Sequence, residues 1–134
     1  MSIDVAVGDA LAGALAVVLT AAGYLKLRYR RAFVASVSTW GLSKRTSRVL
    51  TGLPFIELGT AAFLVSGIFE ARVAGPGRLF ASVLFLSFVV VQLALLRAAT
   101  PAKCGCFGRP RDVSWPTTVR AAAFGLLAVL ALAL

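Results

Sequence analysis

Four long apolar segments constrain this chain more than any other feature of its sequence. They cover residues 5–25, 49–69, 79–96 and 117–134, and each is close to the about 20 residues that an α-helix needs to cross a bilayer. Hydrophobic residues make up 60% of the chain, above the roughly 45–50% of a soluble domain. We therefore predict an all-α fold, a four-helix transmembrane bundle that forms one domain over residues 1–134.

Two local signals refine this arrangement. The flank of the first segment contains Asp4 and Asp9 and no Lys or Arg, whereas a cleaved signal peptide begins with a basic region. We interpret the segment as a first helix of the mature protein. The sequence Gly75-Pro76-Gly77 is typical of a compact turn and predicts the connection between the second and third spans.

The first loop has a pattern of its own in the stretch RRAFVASVSTWGLSKR, residues 30–45. Phe33, Val34, Val37 and Trp40 have a spacing that approximates one face of a helix. The pattern favours an interfacial helix whose basic flanks face anionic lipid. An ordinary solvated loop is the alternative.

The charges orient the predicted bundle. Fourteen basic residues oppose five acidic ones, for a net charge of +9. All the basic residues except Arg72 and Arg78 lie in or beside the first and third loops, between apolar runs, which is unlike a nucleic-acid-binding surface. The positive-inside rule predicts an integral membrane protein with both termini outside and the third loop cytosolic.

The third loop contains the two cysteines of the chain, Cys104 and Cys106, separated by Gly105. In an extended or turn conformation their Cα atoms would lie about 5.5–7 Å apart, within disulfide reach. The ring so closed is small and strained, and strained disulfides tend to be labile, catalytic or regulatory. The loop backbone around the pair includes Phe107 and Gly108. We expect reversible thiol–disulfide chemistry here.

Two alternatives to redox chemistry remain open for these cysteines. The chain has no histidine, which excludes a His-based triad. Two thiolates alone supply half of a typical metal site, so we predict no metal site within one chain, and a dimer or partner would have to complete one. A permanent disulfide that spans one residue would remove little entropy from the unfolded chain. A structural disulfide is therefore a weak explanation for the cysteine pair.

Polar residues near the same side of the spans form a second candidate site. Glu57 is the acidic residue well inside a span, about 8 residues or roughly 12 Å from its start, and an intramembrane carboxylate is costly and commonly functional. Gln92 lies a little deeper in the third span. Candidate ion-pair partners at the ends of neighbouring spans are Lys26, Arg97 and Arg120. Together they would form either a pocket that handles protons or holds a quinone head group, or an ion pair that fixes helix register.

The order of four motifs resembles the MauE family, the methylamine-utilisation membrane proteins grouped with DoxX-like four-helix proteins. The motifs are GYLKL at the end of the first span, LPFIELG in the second, KCGCFG in the third loop and SWPTTVR before the last helix. The resemblance covers nearly the whole chain, and its most specific element is the segment Cys104-Gly105-Cys106-Phe107-Gly108.

The resemblance implies a role in forming or transferring the disulfides that mature the small subunit of methylamine dehydrogenase. It makes Cys104 and Cys106 the redox pair and matches Lys26, Glu57 and Arg120 to recurrent polar positions of the family. An Asn often follows the last of these in the family, whereas Ala121 does so here.

We therefore predict a membrane thiol–disulfide oxidoreductase whose Cys-Gly-Cys centre exchanges electrons or disulfides with a partner. The expected partners are the lipid bilayer, a thioredoxin-like or other thiol protein on a separate chain, and a second copy in a homo-oligomer. A quinone is a candidate cofactor, and no nucleic acid is expected. The alternative is a non-enzymatic scaffold or accessory subunit with structural or metal-binding cysteines.

Overall fold

The fold consists of long helices that cross the molecule from end to end. The computed structural model describes residues 2–97, 103–104, 111–112 and 115–134. Within these residues the elements are α1 (Ile3–Arg28), α2 (Arg30–Ser38), α3 (Lys44–Leu50), α4 (Leu53–Phe69), α5 (Ala71–Arg97), β1 (Lys103–Cys104), β2 (Arg111–Asp112) and α6 (Trp115–Ala133).

Four helical stretches are long and apolar enough to cross a membrane: Ile3–Arg28, Lys44–Phe69, Ala71–Arg97 and Trp115–Ala133. The prediction of an all-α bundle with four spans is confirmed. The second stretch combines α3 and α4, which a short turn at residues 51–52 separates.

The spanning helices contact one another in a closed ring. Helix α1 packs against α4 and α6, and α5 packs against the same two helices from the opposite corner. One end of the bundle carries α2, α3, β1 and β2, and we call it the loop end. The other end carries both chain ends and the single residue, Glu70, that joins α4 to α5; we call it the termini end.

The bundle interior is built largely from small residues. Gly8, Ala12 and Ala16 of α1 are buried, as are Ala121, Gly125 and Ala128 of α6. Larger side chains fill the space between them: Leu15, Leu19, Leu64 and Phe85. The hydrophobic effect does not drive apolar helices together in lipid, so close packing between helix faces of small residues supplies much of the attraction.

The predicted turn at Gly75-Pro76-Gly77 is wrong, because all three residues lie inside α5. The chain reverses at Glu70, whose backbone is extended. A Cβ atom on Gly67 would lie 2.7 Å from the Cα of Ala74, and one on Gly77 would lie 3.0 Å from the carbonyl oxygen of Phe63. Gly67 and Gly77 therefore allow α4 and α5 to approach closely. Glycine is frequent both in turns and at such close helix contacts, which explains the wrong prediction.

The first loop forms the predicted helix, α2, but its apolar face is turned toward the protein. Phe33 and Val37 are fully buried and form a second small core with Leu53 of α4. Trp40 packs against this cluster, whereas Val34 is 40% exposed. Helix α2 thus covers the loop end of the bundle with its apolar face.

Candidate functional site

A buried ion pair lies at the loop end of the bundle. Lys26 Nζ donates a hydrogen bond to Glu57 Oε1, and both side chains are 1% exposed. Lys26 lies in the last turn of α1 and Glu57 near the start of α4. A Cβ atom on Gly23 would lie 2.8 Å from Leu58 Cγ, so this glycine lets α1 approach α4 closely, one turn before Lys26.

Aromatic rings surround the ammonium group of Lys26. Its Nζ lies 5.7 Å from the ring centroid of Phe33 on α2 and 5.2 Å from that of Phe88 on α5. A desolvated cation at these distances gains cation–π stabilisation of about 2 kcal/mol. The face of Lys26 that is turned away from Glu57 is therefore covered by apolar rings.

The carboxylate of Glu57 is only partly satisfied by this arrangement. Within the described part of the chain, Glu57 Oε2 is buried and has no hydrogen-bond partner. Glu57 lines a cavity of about 30 Å³, which is room for one or two water molecules.

All four long helices contribute to the lining of this cavity. Its polar lining consists of Glu57, Gln92, Thr117 and Arg120; its apolar lining consists of Val18, Leu19, Ala22, Phe85, Phe88, Ala121 and Phe124. The Thr118 hydroxyl donates to Gln92 Oε1 at 3.4 Å, which links α6 to α5. The cavity is therefore polar on the side nearest the start of α6 and apolar elsewhere.

The structure brings together most of the polar residues singled out in the sequence. Lys26 pairs with Glu57, and Gln92 and the half-buried Arg120 line the adjoining cavity. Arg97 is exposed at the end of α5 and is not among the cavity-lining residues. Lys26, of the three basic candidates, is thus the one bonded to Glu57 Oε1.

Part of the cysteine loop is described through its backbone. Strands β1 and β2 pair antiparallel, with Lys103 opposite Asp112 and Cys104 opposite Arg111. The backbone of β1 lies beside α2, the helix whose Phe33 covers Lys26. Gly105, Cys106, Phe107 and Gly108 lie outside the described residues.

A larger, apolar groove lies on the outer side of Phe88. It has a volume of about 380 Å³ and is lined by Trp40, Leu42, Leu50, Leu53, Leu84, Ser87, Phe88, Val91, Ala94 and Leu95. Phe88 thus forms a wall shared by this groove and the cavity beside Glu57.

Sequence reasoning missed a second ion pair, at the termini end. Arg78 donates to Asp9 Oδ1 at 2.9 Å and to the carbonyl oxygen of Ala131 at 3.1 Å. The sequence placed Arg78 in the middle loop, whereas it lies inside α5. The roles of Phe33 and Phe88 were also missed, because an apolar residue in an apolar span carries no signal of a cation beside it.

Comparison with known proteins identifies a family whose model matches this chain. The model of the family described as Methylamine utilisation protein MauE matches residues 4–134, which is nearly the whole chain. No curated protein and no solved structure matches the chain.

Proposed function

This chain belongs to the MauE family, and from that premise we propose that it is an integral membrane thiol–disulfide oxidoreductase with Cys104 and Cys106 as its redox pair. The observation that carries the proposal is the position of β1. This strand contains Cys104 and lies beside α2, the helix whose Phe33 ring lies 5.7 Å from Lys26 Nζ of the Lys26–Glu57 pair.

The local setting of the cysteines supports their reactivity. Pairing of β1 with β2 fixes the backbone of Cys104 opposite that of Arg111. Further basic residues, Lys103 and Arg109, flank the pair in sequence. A cationic environment favours the thiolate, which is the nucleophilic form of cysteine.

The proposed reaction is a thiol–disulfide exchange. One cysteine thiolate attacks a sulfur of a partner's disulfide, forms a mixed disulfide and releases the partner's other sulfur as a thiolate. The second cysteine then attacks the mixed disulfide, closes the Cys104–Cys106 bond and releases the second partner thiolate. The cysteine pair loses two electrons and the partner gains two; the reverse sequence donates a disulfide to the partner.

This exchange requires protons to move, and Glu57 is the proposed group that handles them. Each thiol must lose its proton to attack, and each released thiolate takes one up. Glu57 is buried at the loop end, it lines a cavity together with Gln92 and Arg120, and its Oε2 atom has no hydrogen-bond partner among the described residues. Lys26 holds the other oxygen and keeps the carboxylate in place.

The charge distribution supports a cytosolic position for the redox pair. The loop end carries the basic residues of α2 and α3 and the cysteine loop, and basic loops are retained in the cytoplasm. We propose that both termini lie outside the bacterial cytoplasmic membrane. Electrons exchanged with exported proteins would then cross the membrane through a further partner, for which a quinone or a thioredoxin-like chain is the candidate.

Single serine substitutions test the redox pair. If Cys104 is the attacking thiol, Cys106→Ser should accumulate a mixed disulfide with the partner, since the resolving thiol is missing. Cys104→Ser should then trap nothing, and both variants should lose exchange activity. Ser87→Ala, on the lipid-side groove of α5, is a matched control and should retain activity. Full activity in both cysteine variants would contradict the proposal and favour a scaffold role.

Thiol labelling tests the topology independently. A membrane-impermeant maleimide is applied to spheroplasts and to inverted vesicles, each with and without prior reduction. Labelling confined to reduced inverted vesicles supports a cytosolic-side disulfide, and labelling of spheroplasts would place the loop outside. Equal labelling without reduction would indicate free thiols, and the metal-binding or scaffold alternative would become the better explanation.

A further inference from the structure

The unpartnered oxygen of Glu57 is the feature of the described structure that most requires an explanation. The side chain of Glu57 is 1% exposed, and within the described residues its Oε2 atom has no hydrogen-bond partner. A buried carboxylate oxygen without a partner is strongly unfavourable. Because Glu57 lines the adjoining cavity, a donor held in that cavity would satisfy it.

The size and chemistry of the cavity restrict what this donor can be. About 30 Å³ is room for one or two water molecules. A small cation would be a donor as well, but Lys26 already neutralises Glu57 and Arg120 lines the same cavity. A second cation would therefore meet net positive charge. Water both donates and accepts, so it suits a carboxylate on one side and an amide, hydroxyl or guanidinium on the other.

The two oxygens of Glu57 face environments that differ in access. Oε1 accepts the bond from Lys26, whose ammonium group is covered by the rings of Phe33 and Phe88. Oε2 has no hydrogen-bond partner among the described residues, and Glu57 lines the cavity together with Gln92, Thr117 and Arg120. Thr117 and Arg120 lie at the start of α6, the helix that follows the cysteine loop in the chain.

We propose that this cavity is a water-binding site, and that its water connects Glu57 Oε2 to the start of α6. One water donates to Oε2 and accepts from the polar lining residues. The hydrogen-bonded path leads from the buried carboxylate toward the cysteine loop along α6, and the Lys26 side is closed to it. The water site is inferred from the cavity and the unpartnered Oε2 atom alone. Its use as a proton path rests on the proposed function.

The direct test is a crystal structure that resolves ordered water. It should show water density within hydrogen-bond distance of Glu57 Oε2. An empty cavity, or Oε2 bonded to a protein donor, would overturn the proposal. This measurement uses the native chain and is independent of any cysteine chemistry.

A matched pair of substitutions on α6 tests the consequence. Ala121 is buried and lines the cavity, so Ala121→Leu should fill it and expel the water. Ala122 is exposed on the same helix, so Ala122→Leu adds the same volume toward lipid. We expect Ala121→Leu to slow thiol–disulfide exchange at least tenfold, by analogy with the loss of an acid–base group. Ala122→Leu should have no effect.

The results separate the inference from the proposed function. If ordered water is present and the cysteine variants keep full activity, the water site stands and the redox proposal fails. If the cysteines are required and the cavity is dry, the redox proposal stands and the water path fails. Equal rates for Ala121→Leu and Ala122→Leu would also overturn the water path. Should Ala121→Leu fail to fold, the crystal structure of the native chain still decides.

Discussion

The two ion pairs of the bundle lie at opposite ends and differ in how completely their polar atoms are hydrogen-bonded. At the termini end, Arg78 bonds both to Asp9 and to the Ala131 carbonyl oxygen, and the side chains are 12% and 28% exposed. At the loop end, Lys26 and Glu57 are both 1% exposed. Within the described residues, Glu57 Oε2 has no hydrogen-bond partner.

This difference separates a structural contact from a candidate for chemistry. Arg78 ties α5 to α1 and α6, and partial exposure lets water complete its hydration. A Cβ atom on Gly8 would lie 3.0 Å from Arg78 Nη1, so α1 makes room for the guanidinium group. The loop-end pair carries a far greater desolvation penalty, and Glu57 of this pair lines a cavity with other polar residues.

The largest effect is expected from breaking the buried pair. Lys26→Met keeps the side-chain length but leaves Glu57 as an uncompensated buried carboxylate, which should lower the free energy of unfolding by about 3–5 kcal/mol. Unfolding in mixed detergent micelles measures this change. The double variant Lys26→Met/Glu57→Leu should recover most of the loss, because it removes both charges. If the double variant is as unstable as the single one, packing rather than charge explains the effect.

The next prediction concerns activity and compares the carboxylates at the two ends of the bundle, Glu57 and Asp9. Glu57→Gln keeps the shape but removes the proton-accepting group, so we expect thiol–disulfide exchange to slow about 100-fold. Asp9→Asn at the termini end should leave the rate unchanged. The rate with a small disulfide reagent, followed by absorbance, measures both. Equal rates in the two variants would remove the functional distinction between the ends.

A third prediction concerns the tight turn of the termini end. Gly67→Ala places a Cβ atom 2.7 Å from the Cα of Ala74, so α4 and α5 must separate, at a cost of about 1–3 kcal/mol in the free energy of unfolding. Gly59→Ala on the same helix is the control, since nothing lies within 4 Å of the added atom. That variant should be neutral or slightly more stable. A neutral Gly67→Ala would mean that this contact is loose.

The smallest effect is expected at the exposed pair. Arg78→Lys keeps the charge but loses the planar fork that reaches both Asp9 and Ala131, so the free energy of unfolding should fall by about 1 kcal/mol. The loss should shrink at high salt, because partly exposed charges are screened. Thiol–disulfide exchange should be unaffected. A slower exchange would show that the two ends are coupled.

Much of the fold was predictable because the bilayer imposes strong rules on sequence. The four apolar segments have the length of a membrane span, and the structure contains four helices of that kind. The helix in the first loop was also predicted, because its apolar residues recur at helical spacing. The family was recognised from four short motifs and is confirmed over residues 4–134.

The remaining differences have a common physical cause. The turn at Gly75-Pro76-Gly77 was mispredicted because glycine marks both turns and close helix contacts. The neighbours of the apolar face of α2 were not predicted, because a stripe that contains Phe33 and Val37 suits lipid and a protein core equally well. In both cases the local sequence fits two environments, and only the neighbouring helix decides between them.

The sequence by itself determined the number of spans, the charge asymmetry between loops, and the residues that could do chemistry: the cysteine pair and the polar set around Glu57. Those properties follow from chain length, hydropathy and side-chain type. Only the tertiary structure decided that Lys26 bonds Glu57, that Arg97 lies apart, and that Asp9 pairs with Arg78 across 69 residues. Which charged residues pair depends on which helix faces contact each other in the bundle. These faces are set by how closely two helices can pack, and that depends on both sequences together.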